Sequence, residues 1–495
     1  MDTEALNQIE DMTENKKQFE DELKDWITDE KAAIELINVA GNLWFDKSVE
    51  LIIFRNQLVD RSSSEILSLH HYARSIVNAP ITIKDTLLLA QEINKLDFSP
   101  SRIDIGKLAG EWHAENANYK SARDFITDKL SGCIGKEKFS LNPKDVVLYG
   151  FGRIGRLMAR ELIAQAGKGE QLRLRAIVSR SNTNEDIEKR VDLLRSDSVH
   201  GPFLGIVIPD FENKALIVNG HKVFMIASND PATIDYEKYG ISNALLIDNT
   251  GVFRDRAGLS KHLLSKGISK VLLTAPGKGD IPNIVHGINH TDFKADETIF
   301  SAASCTTNAI VPILAVIDAK LGVQKGHIET IHAYTNDQNL LDNYHKKYRR
   351  GRSAALNMVI TETGADKAVA KVLPNLTGKL TGNAVRVPTP DVSLAILNLT
   401  VNKEVDKDMV NAILKDAALK GELVEQIQYS FSNELVSSDL VGNPCACIVD
   451  SPATIVSKDK KSIVLYIWYD NEYGYSRQVM RFAKHLSEVI RLRYY

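Results

Sequence analysis

Three glycines spaced as G-x-G-x-x-G constrain the fold of this chain more than any other feature. Gly150, Gly152 and Gly155 follow a short apolar run at 146–149 and precede a helical pattern at 156–164. In this context the first glycine permits a tight turn, the second lets backbone approach a pyrophosphate, and the third lets helix and strand pack closely. The N–H groups at the helix start can hold phosphates. The segment therefore predicts a dinucleotide-binding unit.

The chain after position 145 alternates short apolar runs with helical patterns, which is typical of an α/β fold. Further strands are predicted at 172–178, 244–247 and 271–274. Together with the glycine fingerprint they predict a Rossmann-type, doubly wound parallel sheet.

The segment 1–140 has a different pattern. Apolar side chains recur at helical spacing along 19–44, 87–96 and 122–130, and Ser62 with Glu65 forms a capping-box pattern before another helix. No strand is evident there, so we expect an all-helical extension over 1–140. Acidic side chains clearly outnumber basic ones over positions 1–31.

Composition excludes several classes of protein. Of the 495 residues, 25% are charged and 44% hydrophobic, as in ordinary soluble proteins, and a net charge of −3 argues against a nucleic-acid partner. The N-terminus lacks the features of a secretory signal, and no run of about 18 apolar residues follows it. We therefore expect a cytoplasmic location without a membrane partner. Four cysteines and scattered histidines predict neither a disulfide framework nor a metal site.

The end of the second predicted strand bears on the choice of cofactor. NAD-binding fingerprints place an acidic residue there to bind the adenosine ribose. Here Ser179 and Arg180 follow the strand, and a hydroxyl with a guanidinium suits a 2′-phosphate. NADP, or use of both NAD and NADP, is therefore favoured. The alternative is that Arg180 is a solvated loop residue and that Glu185 or Asp186 binds the ribose.

Cys305 is the candidate nucleophile. It lies among Ser304, Thr306 and Thr307, immediately before an apolar helical stripe at 310–321. A helix N-terminus lowers a thiol pKa and favours an oxyanion, whereas flanking hydroxyls are unusual around a cysteine of an apolar core.

The segment SAASCTTN resembles the active-site segment of phosphorylating glyceraldehyde-3-phosphate dehydrogenases, and GFGRIGR fits the same family. The resemblance extends over residues 145–495. It implies a nucleotide domain at 145–305 completed by the C-terminal helix at 471–495, and a catalytic domain at 306–470. It also implies that His332, soon after Cys305 in the sequence, is the base. An imidazole at that place can hold the thiolate and take the hemithioacetal proton.

The resemblance implies roles for further residues. For NAD or NADP it indicates Gly150, Phe151, Gly152, Arg153, Ile154, Gly155, Ser179, Arg180, Thr274, Asn471 and Tyr475, with Asn471 holding the nicotinamide carboxamide. For the substrate's C3 phosphate it indicates Thr335, Asp337 and Arg386. For inorganic phosphate it indicates Ser304, Thr306, Thr363 and Gly364, assisted by Arg352.

The implied reaction is oxidation of glyceraldehyde 3-phosphate with inorganic phosphate, in a homotetramer whose loop between His332 and Thr363 lies near a neighbouring subunit. That loop is similar to the loop of NADP-using photosynthetic members. Tyr149 stands where the family commonly has asparagine, and standard members lack the extension. Two alternatives stay open: an erythrose-4-phosphate dehydrogenase, and a regulatory or binding protein that acts through the extension.

Overall fold

The computed structural model describes residues 3–77, 80–135, 137 and 139–495. They form two compact units. One comprises Met1–Asn142 with Ile490–Tyr495, and the other comprises Pro143–Val489.

The first unit combines helices with a small sheet. Its helices are α1 (Thr3–Lys47), α2 (Ser63–Val77), α3 (Ile83–Asn94), α4 (Ile105–Glu115) and α5 (Ala122–Lys129). Its strands are β1 (Val49–Ile53), β2 (Asn56–Gln57), β3 (Ser101–Asp104) and β22 (Leu492–Tyr494), in the order β2-β1-β3-β22. The helices and the Ser62–Glu65 capping box are confirmed, since Glu65 accepts from the Ser62 N–H at 2.8 Å.

The expectation of an all-helical extension is wrong. Strand β1 is buried along its whole length, and it pairs in parallel with β3, which follows only after α2 and α3. The last strand, β22, also pairs in parallel with β3. The end of the chain after position 489 therefore completes the sheet of the first unit and does not belong to the nucleotide domain, to which the family resemblance assigns it.

Arg491 offers a test of this sheet because its guanidinium is buried. It donates to the Ser48 carbonyl at 3.1 Å and lies 3.6 Å from the Glu50 carboxylate and 4.5 Å from the Trp44 ring. Arg102 also approaches Glu50, at 3.2 Å. Since breaking a buried ion pair is costly, we expect Arg491→Ala to lower the free energy of unfolding of this unit by about 2–3 kcal/mol.

Arg493→Ala provides the matched control, because Arg493 lies on the same strand with its side chain exposed. We expect it to change stability by less than about 0.5 kcal/mol. Denaturant unfolding followed by tryptophan fluorescence measures both variants. Equal losses of unfolding free energy in the two variants would contradict a stabilising role for the buried guanidinium of Arg491.

The second unit begins with the predicted parallel sheet. Its strands are β4 (Lys144–Tyr149), β5 (Leu172–Ser179), β8 (Val207–Asp210), β9 (Ala215–Val218), β10 (His221–Ala227), β11 (Ala244–Asp248), β12 (Ile268–Leu273) and β13 (Ile299–Ser301), with a separate hairpin of β6 (Ser196–Asp197) and β7 (Gly201–Pro202). The order is β13-β12-β11-β4-β5-β10-β9-β8, and all pairs from β13 to β10 are parallel. The predicted Rossmann-type sheet is confirmed.

The helices of this part are α6 (Arg153–Ala164), α7 (Asn184–Arg195) and α8 (Arg256–Leu259), and the C-terminal helix α12 (Tyr473–Leu486) packs against α6. Helix α12 therefore returns to the nucleotide-binding part of the chain, as the family resemblance implies.

The catalytic part contains a mixed sheet. Its strands are β14 (Val323–Ala333), β15 (Val359–Thr361), β16 (Leu380–Val387), β17 (Ser393–Val401), β18 (Ile427–Ser430), β19 (Cys447–Asp450), β20 (Ile455–Val456) and β21 (Ser462–Tyr469). Their order is β15-β16-β14-β17-β21-β19-β18, with β20 beside β21. The helices are α9 (Cys305–Leu321), α10 (Ala365–Val372) and α11 (Lys407–Leu419). No helix over the described residues has the length and apolar character needed to cross a bilayer.

Candidate active site

Cys305 is the first residue of α9, a largely buried helix of the second unit. Ser304 caps this helix: its hydroxyl accepts from the Thr307 N–H at 3.0 Å. The predicted stripe of Ile310 to Leu321 lies in the apolar core. The core thus fixes the helix, and the helix presents Cys305 at its positive end.

A histidine faces the thiol. The Cys305 Sγ lies 3.6 Å from the His332 Nε2. His332 is near the carboxyl end of β14, where it is in register with Arg386 on the parallel strand β16. The sheet therefore places the imidazole beside the guanidinium, and helix α9 presents the thiol to the imidazole.

The other imidazole nitrogen lies in a triangle of polar atoms. His332 Nδ1 is 2.7 Å from the Ala333 carbonyl oxygen and 2.8 Å from the Arg386 Nη1, which also donates to that carbonyl at 2.8 Å. A carbonyl only accepts and a guanidinium only donates, so the tautomer decides the role of Nδ1. With the proton on Nδ1, His332 donates to Ala333 and directs the lone pair of Nε2 towards the thiol. This tautomer can act as a base.

Burial determines the charges of the pair. Desolvation lowers the pKa of His332 to about 3, and the Arg386 charge contributes to the lowering. Desolvation also raises the pKa of the Cys305 thiol, against the opposing effects of Arg386 and of the Thr306 hydroxyl and N–H. The arrangement therefore favours a neutral imidazole beside a thiol whose ionisation increases with pH.

The pH dependence of alkylation follows from these shifts. We expect the rate at which iodoacetamide modifies Cys305 to rise from neutral into alkaline pH, because the thiol pKa is raised. No inflection should appear near the ordinary histidine pKa of 6.5, since His332 gains its proton only near pH 3. Mass spectrometry of the modified peptide measures the rate. A plateau already reached below neutral pH would instead indicate a thiolate–imidazolium pair.

A polar group beside the thiol–imidazole pair can hold an anion. Asp337 accepts from the Thr335 hydroxyl and from Arg350, and Arg350 Nε donates to the Thr361 hydroxyl at 3.1 Å. Burial opposes the ionisation of Asp337, but Thr335 and Arg350 together hold the pKa of its carboxyl below the usual range. Desolvation and the charge of Arg350 lower the pKa of Arg386. Two guanidinium groups thus face one carboxylate, a balance that suits a phosphate.

Arg352 is placed differently. Its side chain is exposed and donates to Asp342 at 2.8 Å. Among the interactions of the described residues, none joins Arg352 to Cys305, His332 or the group around Asp337.

The residues indicated for inorganic phosphate lie on two elements. Thr306 contacts the hydroxyl of Tyr469 at 2.9 Å, and Ser304 caps α9. Thr363 accepts from the Ala365 N–H at 3.2 Å, and Gly364 is the N-cap of α10. The hydrogen bonds of the described residues do not join Thr363 to Ser304 or Thr306, so the two elements present separate hydroxyl and N–H groups.

The glycine turn fits a dinucleotide. Gly150 has φ of +95°, and a Cβ on Gly155 would lie 2.4 Å from the Gly150 carbonyl oxygen, so both positions require glycine. A Cβ on Gly152 would meet no atom within 4 Å, and no side chain caps the start of α6. Phe151 is buried and Ile154 half-buried. The turn therefore leaves an open approach to the first N–H groups of α6.

Arg153, also indicated for the cofactor, uses its guanidinium within the protein. It pairs with Glu472, and it donates to Asp197 at 3.2 Å. Its charged group therefore anchors the start of α6 to the segment before α12.

The two sets of residues that could bind the adenosine ribose or its 2′-phosphate lie at the end of β5 and in the segment that follows it. The Ser179 hydroxyl donates to the Ser181 carbonyl at 2.8 Å, and Arg180 is exposed. Asp186 accepts from the hydroxyls of Ser181 and Thr183, which lower the pKa of its carboxyl. Arg180 has the exposure that a ligand phosphate would need, whereas Asp186 is engaged with the loop.

Three further predicted cofactor residues are held by specific bonds. Asn471 accepts from the Ser393 hydroxyl at 2.7 Å, which leaves its amide nitrogen as a donor. Tyr475 donates to the Ala303 carbonyl at 3.0 Å, close to Cys305 in the chain, and Thr274 donates to the Asp248 carbonyl at 3.1 Å.

Comparisons with known proteins agree with this geometry. Residues 144–256 match the family model "Glyceraldehyde 3-phosphate dehydrogenase, NAD binding domain", and residues 304–471 match the C-terminal domain of the same family. The glyceraldehyde-3-phosphate dehydrogenase of Zymomonas mobilis (ZM4) is 38% identical over 346 residues, which cover 70% of this chain and 99% of that protein. The chain belongs to the glyceraldehyde-3-phosphate dehydrogenase family.

Other members of the glyceraldehyde-3-phosphate dehydrogenase family are also similar. A "glyceraldehyde-3-phosphate dehydrogenase-like protein" of Pseudomonas aeruginosa (UCBPP-PA14) is 50% identical over 457 residues, 92% of this chain and 98% of that protein. The chloroplastic GAPA1 of Arabidopsis thaliana is 43% identical over 388 residues, 78% of this chain and 95% of that protein. An alignment that covers 92% of this chain must include much of the N-terminal extension, so the Pseudomonas protein shares that segment.

Sequence reasoning about this dehydrogenase missed two residues of the candidate active site. Arg350 is buried, whereas none of the other four residues of YRRGR is buried. The sequence has no periodic pattern that would indicate which arginine of this loop points inwards. Tyr469, fully buried, contacts Thr306 through its hydroxyl, and desolvation raises the pKa of that hydroxyl. Its place immediately before the Asp470–Asn471 turn was the only available signal.

Proposed function

We propose that this protein catalyses the phosphorylating, reversible oxidation of D-glyceraldehyde 3-phosphate to 1,3-bisphosphoglycerate. The proposal rests above all on the 3.6 Å approach of the Cys305 Sγ to the His332 Nε2, with Arg386 on the other side of the imidazole. To oxidise a phosphorylated aldehyde through a covalent intermediate, a protein must provide a nucleophile, a base and an anion-binding group.

The first chemical step is addition of the Cys305 sulfur to the aldehyde carbon: the Nε2 of His332 takes the thiol proton as the S–C bond forms and returns it to the carbonyl oxygen, which gives a hemithioacetal. The developing oxyanion forms beside the N-terminus of α9, whose N–H groups stabilise it. The hemithioacetal hydroxyl then loses its proton to the Nε2 of His332, which is unprotonated at neutral pH because its pKa is about 3. A bound nicotinamide dinucleotide supplies the hydride acceptor. Cys305 is left as a thioester.

Inorganic phosphate then attacks the thioester carbonyl, and the thiolate of Cys305 leaves. Ser304, Thr306, Thr363 and Gly364 are the proposed ligands of this phosphate, and Thr335, Arg350 and Arg386 those of the substrate's C3 phosphate, with Asp337 orienting Thr335 and Arg350. Of the two loop arginines, Arg350 is the proposed ligand because it contacts Asp337, whereas Arg352 contacts Asp342.

Steady-state rates test this proposal. We expect reduction of the cofactor with glyceraldehyde 3-phosphate to depend strongly on added inorganic phosphate. A rate indifferent to phosphate, together with faster turnover of erythrose 4-phosphate, would favour the erythrose-4-phosphate alternative. Dinucleotide binding without oxidation of either aldehyde would favour the regulatory alternative.

For the cofactor we propose NADP, or use of both NAD and NADP. The support is the exposed Arg180 next to Ser179, and the engagement of Asp186 with loop hydroxyls. A comparison of rates with NAD and NADP at saturating substrate and phosphate tests this. A large preference for NAD would contradict it.

We also propose a homotetramer and a cytoplasmic location. In favour of assembly, the loop between His332 and Thr363 exposes several apolar side chains, including Leu340, Tyr348 and Met358. Light scattering after size-exclusion chromatography tests the subunit number, and a monomeric mass would contradict the proposal.

The two arginines of the loop provide a matched pair of variants. We expect Arg350→Ala to lower kcat/KM for glyceraldehyde 3-phosphate by about 10- to 100-fold, since it removes charge-assisted hydrogen bonds. Arg352→Ala, which removes the same group from an exposed pair with Asp342, should change it less than about threefold. Initial rates over a range of substrate concentrations measure both. The reverse ranking would contradict a role of Arg350 in binding the C3 phosphate and would favour Arg352 as a phosphate ligand.

A further inference from the structure

A group of buried acids adjoins Asn471, the residue proposed to hold the nicotinamide carboxamide. Asp391 lies between β16 and β17, and its side chain is wholly inaccessible to solvent. Neither of its carboxylate oxygens has a hydrogen-bond partner of good geometry among the described residues. A buried carboxylate without such donors is strongly disfavoured as an anion. When ionised, Asp391 would have only the weaker approaches of the Val392 N–H and of His200 Nε2, at 3.5 Å, to offset its charge.

Asp470, which follows β21, is the nearby acceptor. Its carboxylate receives the N–H groups of Gly442 at 2.7 Å, Glu472 at 2.9 Å and Tyr473 at 2.6 Å. Three such donors favour the ionised form. We propose that Asp391 carries a proton that it donates to the Asp470 carboxylate, and that this link is a positioning device for Asn471.

The other charged groups facing the pair agree with one added proton. His200 Nε2 lies 3.1 Å from Glu472 and 3.5 Å from Asp391. Glu472 is paired with Arg153, which also binds Asp197, and Arg156 lies 3.4 Å from Asp197. The positive charges of Arg153 and Arg156 thus offset the negative charges of Glu472 and Asp197. His200 then remains as the basic group that faces Asp391 and Asp470.

Burial assigns the proton to Asp391. It raises the pKa of Asp391, and the charge of Asp470 raises it further, against a smaller opposing effect of the Val392 N–H. Burial also raises the pKa of Asp470, but His200 and the three N–H donors oppose that rise. The pair therefore shares one proton, and Asp391 is the better holder of it.

A cation is the competing occupant. Ligand atoms of His200, Asp391 and Asp470 lie within 4.8 Å of one another, a spacing that could hold a metal ion. However, the Asp470 oxygens already accept three N–H groups, and the Arg153 guanidinium at Glu472 opposes a second positive charge. A proton needs no further ligands, and it allows the Asp391 carboxyl to donate a hydrogen bond to the Asp470 carboxylate.

The link is connected to the active site by short bonds. Ser393, close after Asp391, donates to Asn471 at 2.7 Å and accepts from the Ala333 N–H at 3.1 Å, next to His332. Asn471 follows Asp470, and Ser393 pairs with Tyr469 across β17 and β21. Loss of the proton would place two like charges behind this turn and displace Asn471. The inference rests on the proposed role of Asn471 in cofactor binding.

Asp391→Asn tests the proposal because an amide donates an N–H to Asp470 at every pH. We expect the Kd for NAD and NADP of the unaltered chain to rise by about tenfold or more between about pH 7 and about pH 10, whereas that of Asp391→Asn rises much less. Asp416→Asn, at an exposed ion pair, serves as the control and should follow the unaltered chain. Isothermal titration calorimetry measures binding without any aldehyde, so failure of the proposed reaction would leave this test valid.

Thermal unfolding gives a second readout. Because the pKa of Asp391 is raised to about 9, the folded chain holds one proton more than the unfolded chain between the ordinary aspartate pKa and about pH 9, so the stability that this proton contributes falls as pH rises through that range. Asp391→Asn should lack this fall. Equal pH profiles for the two chains in both measurements would overturn the proposal. So would one equivalent of metal in the purified chain, found by elemental analysis and absent from Asp391→Asn.

Discussion

Replacement of Cys305 by serine is expected to reduce aldehyde oxidation by at least about 10³-fold, while the Kd for the dinucleotide changes little. A serine hydroxyl is not ionised near neutral pH, and neither the α9 N-terminus nor His332 can lower its pKa far enough to supply an alkoxide. It also yields an ester in place of a thioester, and an ester acylates phosphate less readily. Stopped-flow absorbance of the reduced cofactor measures the rate.

Cys133→Ser is the matched control for this experiment. It makes the same change of sulfur to oxygen at a buried position of the first unit, where Cys133 packs in the core. We expect it to alter stability but not the rate per folded molecule. Activity of Cys305→Ser within tenfold of the unaltered chain would exclude a covalent role for this thiol.

Replacement of His332 by asparagine is expected to lower kcat by about 10²- to 10⁴-fold with a smaller change in KM. Asparagine keeps a polar group near Ala333 and Arg386, but it has no nitrogen that can take a proton at neutral pH. His327→Asn, on the same strand but with its imidazole bonded to Thr381 at 2.8 Å, should retain most of the activity.

A pH profile separates a base from a merely structural histidine. If His332 takes the hemithioacetal proton, the remaining activity of His332→Asn should increase with pH, because hydroxide replaces the imidazole. An activity loss with an unchanged pH profile, accompanied by a lower melting temperature, would assign His332 a structural role instead.

Local sequence patterns were sufficient to predict the fold of the nucleotide-binding part. The glycine spacing predicts a turn that only glycine fits, as the φ of Gly150 and the close approach at Gly155 show. The apolar run before it forms the buried end of β4, and a strand buried on both faces lacks the alternation of a surface strand. Cys305 at a helix start was predictable for the same reason, since its polar flank and apolar stripe are adjacent in sequence.

Non-local pairings were not predictable in this way. Strand β1 is too short to be separated from a helix by periodicity, and two helices separate it from its partner β3 in the chain. The other strand that pairs with β3 is β22, the last strand of the chain. Likewise, nothing near Asp391 in the sequence indicates that it faces Asp470, because the contact arises only when β17 pairs with β21.

The covalent intermediate offers the most direct test of the proposed reaction. The chain is mixed with glyceraldehyde 3-phosphate and NAD or NADP in the absence of inorganic phosphate, and is analysed by intact-protein and peptide mass spectrometry. We predict a burst of reduced cofactor of about one equivalent per active site, and a 3-phosphoglyceroyl group on Cys305 that disappears when phosphate is added. Full turnover without phosphate, or an acyl group on any other residue, would contradict the proposed phosphorylating reaction.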